Sequence, residues 1–375
     1  MKKRMLITAT DLMAVQFLLP HMKQLTESGW QLELACSEVG GRFSELAAAL
    51  PAGVRLHKVS LRRSPLALGN VRGLLQLRKL IAPEKYDVIW TNEPVMGVMT
   101  RLAARRARKA GTKVVYMCHG FHFFRGSSPV GWLFFPVERW MSRYTDVLVT
   151  VNREDEARGR QFSAGCVTRI HGVGVNTQRL IANMPPHELR QKLGIPEDAF
   201  LVLSVGELNK NKNHAVILRA LAKLRDPSIH YMICGTGSLR NSLESLARRL
   251  KLEQQVHFPG YCRGIGDYLQ AADVFAFPSK REGLSLAVLE AMSCGLPLVA
   301  SDIRGVHDYA IPEKSGFLCH PRDVDGFARG ISKLRKDPQL RRLSGEYNRT
   351  TAAVCQLDKA KAEINTLFEG IWNGN

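Results

Sequence analysis

The chain alternates two kinds of segment. Short apolar runs rich in Val, Ile and Leu recur between stretches of helical periodicity, the pattern of buried parallel strands joined by covering helices. The first half supplies RMLITAT, QLELACS, RLHKVS, DVIWTN, KVVYMCH, DVLVTV and VTRIHG; the second supplies FLVLSVG, HYMICG, VHFPG, VFAFPS, LPLVAS and GFLCH. Between the two series, GVGVNTQRLIANMPPHELRQ breaks the periodicity with glycines and a Pro-Pro pair, which predicts a linker near residues 173–190. The expected architecture is α/β, with two doubly wound, Rossmann-like domains at 1–175 and 176–354. Ligands bind such sheets at the carboxyl ends of the strands, so two facing sets would share a central cleft. The last segment, KAKAEINTLFEGIW, is helical, with apolar positions at Ile364, Leu367, Phe368 and Ile371. Residues 355–375 thus either pack back on the N-terminal domain or finish the second one.

Length agrees with two domains, since 375 residues exceed one ordinary core. With 45% hydrophobic and 23% charged residues, the chain is neither disordered nor fibrous. Charge narrows the picture further: 53 Lys and Arg against 34 acids give a formal +19, which calls for an anionic partner such as a nucleotide, a nucleic acid or a membrane surface. Much of the excess lies in MKKR, RRSP and RLAARRARKAGTK of the first half, a localised patch. The eight cysteines are scattered without C-x-x-C spacing, and Cys118, Cys234 and Cys294 fall in apparent strands or helices. Reduced, buried thiols of a cytosolic protein are expected. Thr8, Thr10 and Asp11 interrupt the first apolar run before it reaches signal length, and no stretch is apolar enough to span a bilayer. Any membrane contact is expected to be peripheral.

The candidate chemistry centres on REGLSLAVLEAMSCGLPLVAS, which puts Glu290 in an apparently buried helix among Leu286, Ala287, Ser293 and Cys294. An unpaired ionised carboxylate there would be costly. VFAFPS reads as a strand, KREGL as the loop beyond its carboxyl end carrying Glu282, and SLAVLEAMSCG as a helix closed by Gly295. A capping box does not account for Glu290, because Val288 stands three residues after Ser285. Glu282 has a structural alternative, since an acid ahead of a helix suits the macrodipole. The N–H groups of Leu284, Ser285 and Leu286 open the helix and suit a phosphate. A ligand with phosphates there and hydroxyls on either side would engage both acids, which describes a nucleotide sugar.

The run KREGLSLAVLEAMSCGLPLVASDIRGVHDYA resembles the glutamate, seven residues, glutamate signature of the family 4 retaining glycosyltransferases with the two-domain GT-B fold. IHGVGVNTQRL resembles the family's linker, LSVGELNKNKNH its first C-terminal strand and loop, and ICGTGSL and VHFPGY later ones. RRSPLALGN, HGFHFFRG and SRYTDVLVTVN are similar to the subgroup that makes exopolysaccharides and lipid-linked glycans.

The resemblance implies that Glu290 binds the ribose hydroxyls of the donor, Glu282 the hydroxyls of the transferred sugar, and Lys212 the diphosphate. It adds Gly206, Gly235, Gly283, Leu284, Ser285, Leu286 and Tyr261 to the donor pocket and places His119 beside the transferred sugar. Asp11, Glu93, His122 and Arg125 are candidates on the acceptor side. Two departures stand out. Glu207 occupies a position where many members carry an arginine for the diphosphate, leaving Lys210, Lys280, Arg263 and Arg125 as unranked substitutes. TATDLMAVQF lacks the glycine pair that many relatives have after strand one.

Asp323 and Asp325 have metal-ligand spacing, but PRDVDGFARG reads as a helix start with Asp323 as N-cap, so no catalytic metal and no cofactor are expected. The implied reaction is front-face transfer with retention from a UDP-sugar, the departing diphosphate oxygen taking the acceptor proton. The implied acceptor is a polyprenyl-diphosphate-linked sugar, at the inner face of the cytoplasmic membrane. RRSPLALGNVRGLLQLRKLI and GSSPVGWLFFPVERW, with Trp132, Phe134, Phe135 and Trp140, either lie on an anionic bilayer or pack on their own sheet. A nucleic-acid partner would account for the charge but not for the paired glutamates. An epimerase using the same donor site and a non-catalytic sugar-binding protein are the other readings.

Overall fold

Each apolar run forms one strand, seven in a first sheet and six in a second, and every pairing is parallel. The computed structural model describes residues 3–38, 43–81 and 86–374. The first sheet contains β1 (Lys3–Asp11), β2 (Trp30–Ser37), β3 (Arg55–Lys58), β4 (Val88–Asn92), β5 (Lys113–Cys118), β6 (Val147–Thr150) and β7 (Cys166–Arg169), in the order β3-β2-β1-β4-β5-β6-β7. The second contains β8 (Phe200–Val205), β9 (Ile229–Cys234), β10 (Val256–Gly260), β11 (Val274–Phe277), β12 (Leu298–Ser301) and β13 (Gly316–Cys319), in the order β10-β9-β8-β11-β12-β13.

Central strands such as β4 and β9 are buried along their whole length, which is why they read as continuous rather than alternating apolar runs. In each sheet the strand order reverses once, between β1 and β4 in the first and between β8 and β11 in the second. At such a reversal, neighbouring strands send their following loops in opposite directions, and a crevice opens beyond their carboxyl ends.

The chain divides into two compact units, one of residues 1–173 with 358–375 and one of residues 174–357. The divisions fall slightly away from the 175/176 and 354/355 of the sequence reading for a local reason. The Val175 N–H donates to the Cys355 carbonyl at 2.8 Å and the Leu357 N–H to the Val175 carbonyl at 2.9 Å, so both connecting segments are tied into the second unit.

The helix Leu357–Asn373 belongs, from Asp358 onward, to the first unit. Ile364 and Phe368 are fully buried, and Phe368 packs against Trp30 and Trp90 with ring centroids 6.3 and 5.1 Å away. Glu369 pairs with Lys3 at 2.6 Å, and Glu363 accepts from His171. The thiols are less uniformly buried than expected: Cys166, at the edge strand β7, is exposed.

Candidate active site

In the second unit the two loops at the reversal are stitched together by side chains. After β8, Asn209 Oδ1 accepts from the backbone N–H groups of Asn211 and Lys212, both at 2.9 Å, which turns the chain sharply back. After β11, the loop carries Lys280 to Leu284. The Lys280 N–H donates to the Asn211 carbonyl at 2.9 Å, and Asn211 Nδ2 donates to the Arg281 carbonyl at 3.0 Å. Lys212 Nζ closes the arrangement by donating to Glu282 Oε1 at 2.7 Å, with both side chains mostly buried. The sequence reading assigned Lys212 to a diphosphate; in the structure it pairs with the neighbouring acid Glu282. An ammonium has three donors and a carboxylate several lone pairs, so neither group is saturated by this one contact.

The helix that follows, Leu286–Ser293, begins one residue later than expected, with Ser285 as an N-cap whose side chain makes no capping bond. A helix start without a side-chain cap retains its attraction for an anion. Glu290 lies half-buried one turn into the helix, and among the described residues no hydrogen bond or ion pair to its carboxylate is present. Burial pushes its pKa up to about 7, against a smaller opposing pull from the Arg179 charge. The carboxylate therefore has acceptor capacity in reserve.

Behind the Glu282 loop stands the short helix Arg304–His307. A Cβ on Gly305 would meet the carbonyl oxygens of Glu282 and Gly283 at 2.7 and 2.9 Å, so only glycine admits this approach. The buried Arg304 directs Nε to the Glu282 carbonyl at 3.4 Å. Desolvation and then the Arg304 charge hold the pKa of Arg281 below its ordinary value. The loop thus brings three cations to Glu282: Lys212 on its carboxylate, Arg304 on its backbone carbonyl, and Arg281 next in the chain. Glu207, by contrast, is exposed, as are Lys210, Lys280 and Arg263.

Sequence reasoning missed Asn211, Arg281 and Arg304. The asparagines in GELNKNKNH were a readable turn signal, whereas Arg304 is brought to the loop only by the fold.

Gly206 and Gly235 follow β8 and β9. A Cβ on Gly235 would fall 1.9 Å from the Gly206 carbonyl oxygen, and the Gly235 N–H donates to the Gly260 carbonyl at 2.7 Å. Tyr261, next in line, is 57% exposed and stands at the same carboxyl edge. Asp323 accepts from the Gly326 N–H at 2.8 Å as N-cap of the helix Val324–Lys336, and Asp325 pairs with Lys223.

In the first unit the candidates also gather at the carboxyl edge. Asp11 ends β1, and its side chain lies outside the described residues. Glu93 follows β4 with φ of 66°, a conformation costly for a residue with a Cβ, and its Oε2 accepts from the Thr10 N–H at 2.5 Å. That bond ties together the two loops of this reversal. His119 follows β5. Asn92 Nδ2 donates to the Thr8 carbonyl, which leaves Asn92 Oδ1 facing His119 Nε2 at 3.1 Å. Nε2 therefore carries the ring hydrogen, and Nδ1 keeps a lone pair. Loss of surrounding water pushes the pKa down to about 4. His119, whose ring keeps contact with solvent, is neutral at pH 7.

His122 and Arg125 lie in the loop beyond His119, where His122 packs on Phe134 at 4.9 Å and Arg125 is exposed. Of the two alternatives left open for Phe134 and Phe135, bilayer contact or packing within the unit, the structure has both rings partly buried against the Phe121–Phe123 cluster. Trp132 and Trp140 remain 40% and 47% exposed.

Two family models match this chain, "Glycosyl transferase 4-like domain" over residues 16–173 and "Glycosyl transferases group 1" over residues 187–351. It is 38% identical over 360 residues to EpsD of Bacillus subtilis strain 168, named as a glycosyltransferase, with 94% of this chain and 92% of that one covered. It is 28% identical over 336 residues to the UDP-Gal:alpha-D-GlcNAc-diphosphoundecaprenol alpha-1,3-galactosyltransferase of Escherichia coli, covering 87% and 85% of the two chains. Among solved structures, sucrose-phosphate synthase of Thermosynechococcus elongatus superposes with a TM-score of 0.82 at 19% identity, over 100% of both chains. HepE of Anabaena, solved in complex with UDP and glucose, superposes with a TM-score of 0.82 at 19% identity over 98% of this chain and 100% of that one.

Proposed function

This chain belongs to family 4 of the glycosyltransferases and has their two-domain GT-B fold, and from that premise we propose that it moves a hexosyl or N-acetylhexosaminyl group from a UDP-sugar to a polyprenyl-diphosphate-linked glycan, with retention at the anomeric carbon. The observation that carries the reading is the arrangement at the reversal of the second sheet. There a cluster of cations around Glu282 adjoins a helix start, with the unsatisfied acceptor Glu290 one turn beyond.

In this scheme the diphosphate lies at the start of the Leu286–Ser293 helix and draws Lys212 from Glu282. Arg281 and Arg304 supply the positive charge that Glu207 cannot. Glu290 accepts from the ribose diol. Glu282, released from Lys212, accepts from hydroxyls of the transferred sugar. Fixed cations and N–H groups aimed at the departing diphosphate stabilise the charge that develops there, and its oxygen takes the acceptor proton. The scheme assigns the neutralisation of the diphosphate to the protein cations Lys212, Arg281 and Arg304. The UDP donor is supported by the name of the Escherichia coli relative and by the ligands of HepE, and the lipid-linked acceptor by the former.

For the acceptor's surroundings, we assign the first unit to an anionic membrane surface, bound peripherally. Leu66, Leu68, Val71 and Leu75 are 52 to 90% exposed on and before the helix Gly69–Leu80, interleaved with Arg62, Arg72 and Arg78. A basic, apolar face of this kind suits the boundary between headgroups and acyl chains. No helix among the described residues is long and apolar enough to cross the bilayer.

Thermal stabilisation by a panel of nucleoside diphosphates tests the donor. A ligand at a hundred times its Kd adds about 2.7 kcal/mol. UDP should raise the midpoint selectively and Lys212→Ala should weaken the shift; equal shifts with GDP and ADP, or none with UDP, would overturn the assignment. Product analysis with and without a lipid-linked acceptor separates transfer from epimerisation.

A further inference from the structure

Cys234 at the end of β9 and Cys262 two residues beyond the end of β10 stand at the same carboxyl edge of the sheet, and nothing in the transfer scheme uses them. Cys234 ends β9 and is 2% exposed; Gly260, which ends β10, is its register partner. The Gly235 N–H bonds to the Gly260 carbonyl at 2.7 Å, so the two strand ends are held together. Two residues on, Cys262 turns its sulfur back to the Gly260 carbonyl at 3.5 Å and packs, half-buried, on the core that contains Cys234, beside Tyr268. Gly235 follows Cys234 and Tyr261 precedes Cys262 in the chain, and the family resemblance assigns both to the donor pocket.

We propose that Cys234 and Cys262 form a redox-active dithiol whose closure to a disulfide weakens nucleotide binding. The proposal rests on the reading that the donor lies against Gly235 and Tyr261. A disulfide demands a narrow range of separations and torsions, so forming it would draw Cys262 onto Cys234 and shift the backbone of Tyr261. The two thiols are unequal in the way an attacking and a resolving thiol are. A hydrogen bond from Cys234 lowers the pKa of Cys262, opposed by burial and aided by Tyr268, whereas burial holds Cys234 well above its ordinary value.

The oxidant is a small aliphatic disulfide. The Cys262 thiolate attacks one of its sulfurs, forming a mixed disulfide and releasing one small thiolate. Cys234 then attacks the Cys262 sulfur, and its proton leaves on the second small thiolate, which departs as the thiol. Two protein thiols are oxidised and one small disulfide is reduced to two thiols. Cys166, an exposed free thiol on the edge strand of the other sheet, should stop at the mixed disulfide.

The test treats the full chain with glutathione disulfide, maps disulfides by peptide mass, and measures UDP affinity by calorimetry before oxidation, after it, and after dithiothreitol. The expected result is a link between Cys234 and Cys262, at least a tenfold loss of UDP affinity, and full recovery on reduction. Cys262→Ser, whose reduced form should bind UDP normally, should escape the loss. Modification at Cys166 without a 234–262 link would overturn the proposal, and so would a linked protein that binds UDP as the reduced one does. If the reduced protein binds no UDP while the link still forms, the donor reading and the gating fall together and the thiol pair alone stands.

Discussion

Glu290 couples burial to ligand and to pH. Its pKa near 7, against 4.5 for the free side chain, means that the native state keeps a proton that the unfolded chain gives up. Stability that is fully present below pH 4.5 is therefore lost as pH rises to about 7, by about 3 kcal/mol at most and less to the extent that solvent reaches the carboxyl. Glu290→Gln should remove that loss, so urea denaturation should find the variant more stable than the parent at pH 8 and little different at pH 4. The same variant should bind UDP roughly tenfold more weakly, since an amide offers one acceptor oxygen and no charge to a diol. UDP affinity of the parent should climb from pH 5.5 to about 7 and then level, because the diol favours the ionised carboxyl; a flat profile would sink this role for Glu290. The motif, with its paired acids, was legible in the sequence, but the Lys212–Glu282 contact was not. It joins residues seventy positions apart, and only the folded sheet brings their loops together.

At the scale of elements, the active edge is set by where each sheet reverses. β1 with β4, and β8 with β11, put Glu93 against Thr10 and Lys212 against Glu282. The close approach of Gly235 to Gly206 makes the donor loops a single packed layer. Gly235→Ala should cost about 1–3 kcal/mol from overpacking and abolish the UDP-dependent rise in melting temperature, as Gly206 and the Lys212 side chain packed on it are displaced. The helix Leu357–Asn373 tests a different join. Phe368→Ala should destabilise the first unit by about 3–5 kcal/mol through loss of a buried ring between Trp30 and Trp90, seen as an earlier tryptophan fluorescence transition. The periodicity of this helix was readable, and its apolar stripe with it. Which unit it completes was not, because that choice depends on Lys3, Trp30 and His171, far away in sequence.

For the whole molecule, a formal +19 predicts affinity for anionic surfaces. Sedimentation with vesicles should recover the protein with phosphatidylglycerol but not with phosphatidylcholine alone, and salt of about 1 M should weaken binding as the Debye length falls to about 3 Å. Leu66→Glu with Leu68→Glu should lower the bound fraction without changing UDP affinity; unchanged recovery would assign these residues no part in the membrane contact. The sequence by itself determined the strands, their parallel pairing and the fold class, because a strand buried on both faces must be apolar throughout and a crossover helix must be amphipathic. It also determined the acids of the donor motif, which lie within one loop and one helix. Tertiary structure alone decided that Lys212 lies on Glu282, that Arg304 rather than any residue at position 207 backs the loop, that Phe134 and Phe135 pack on Phe121 and Phe123, and that Cys234 and Cys262 come to the ends of neighbouring strands. These are contacts between distant segments, and local periodicity carries no information about which loops a sheet's strand order will bring together.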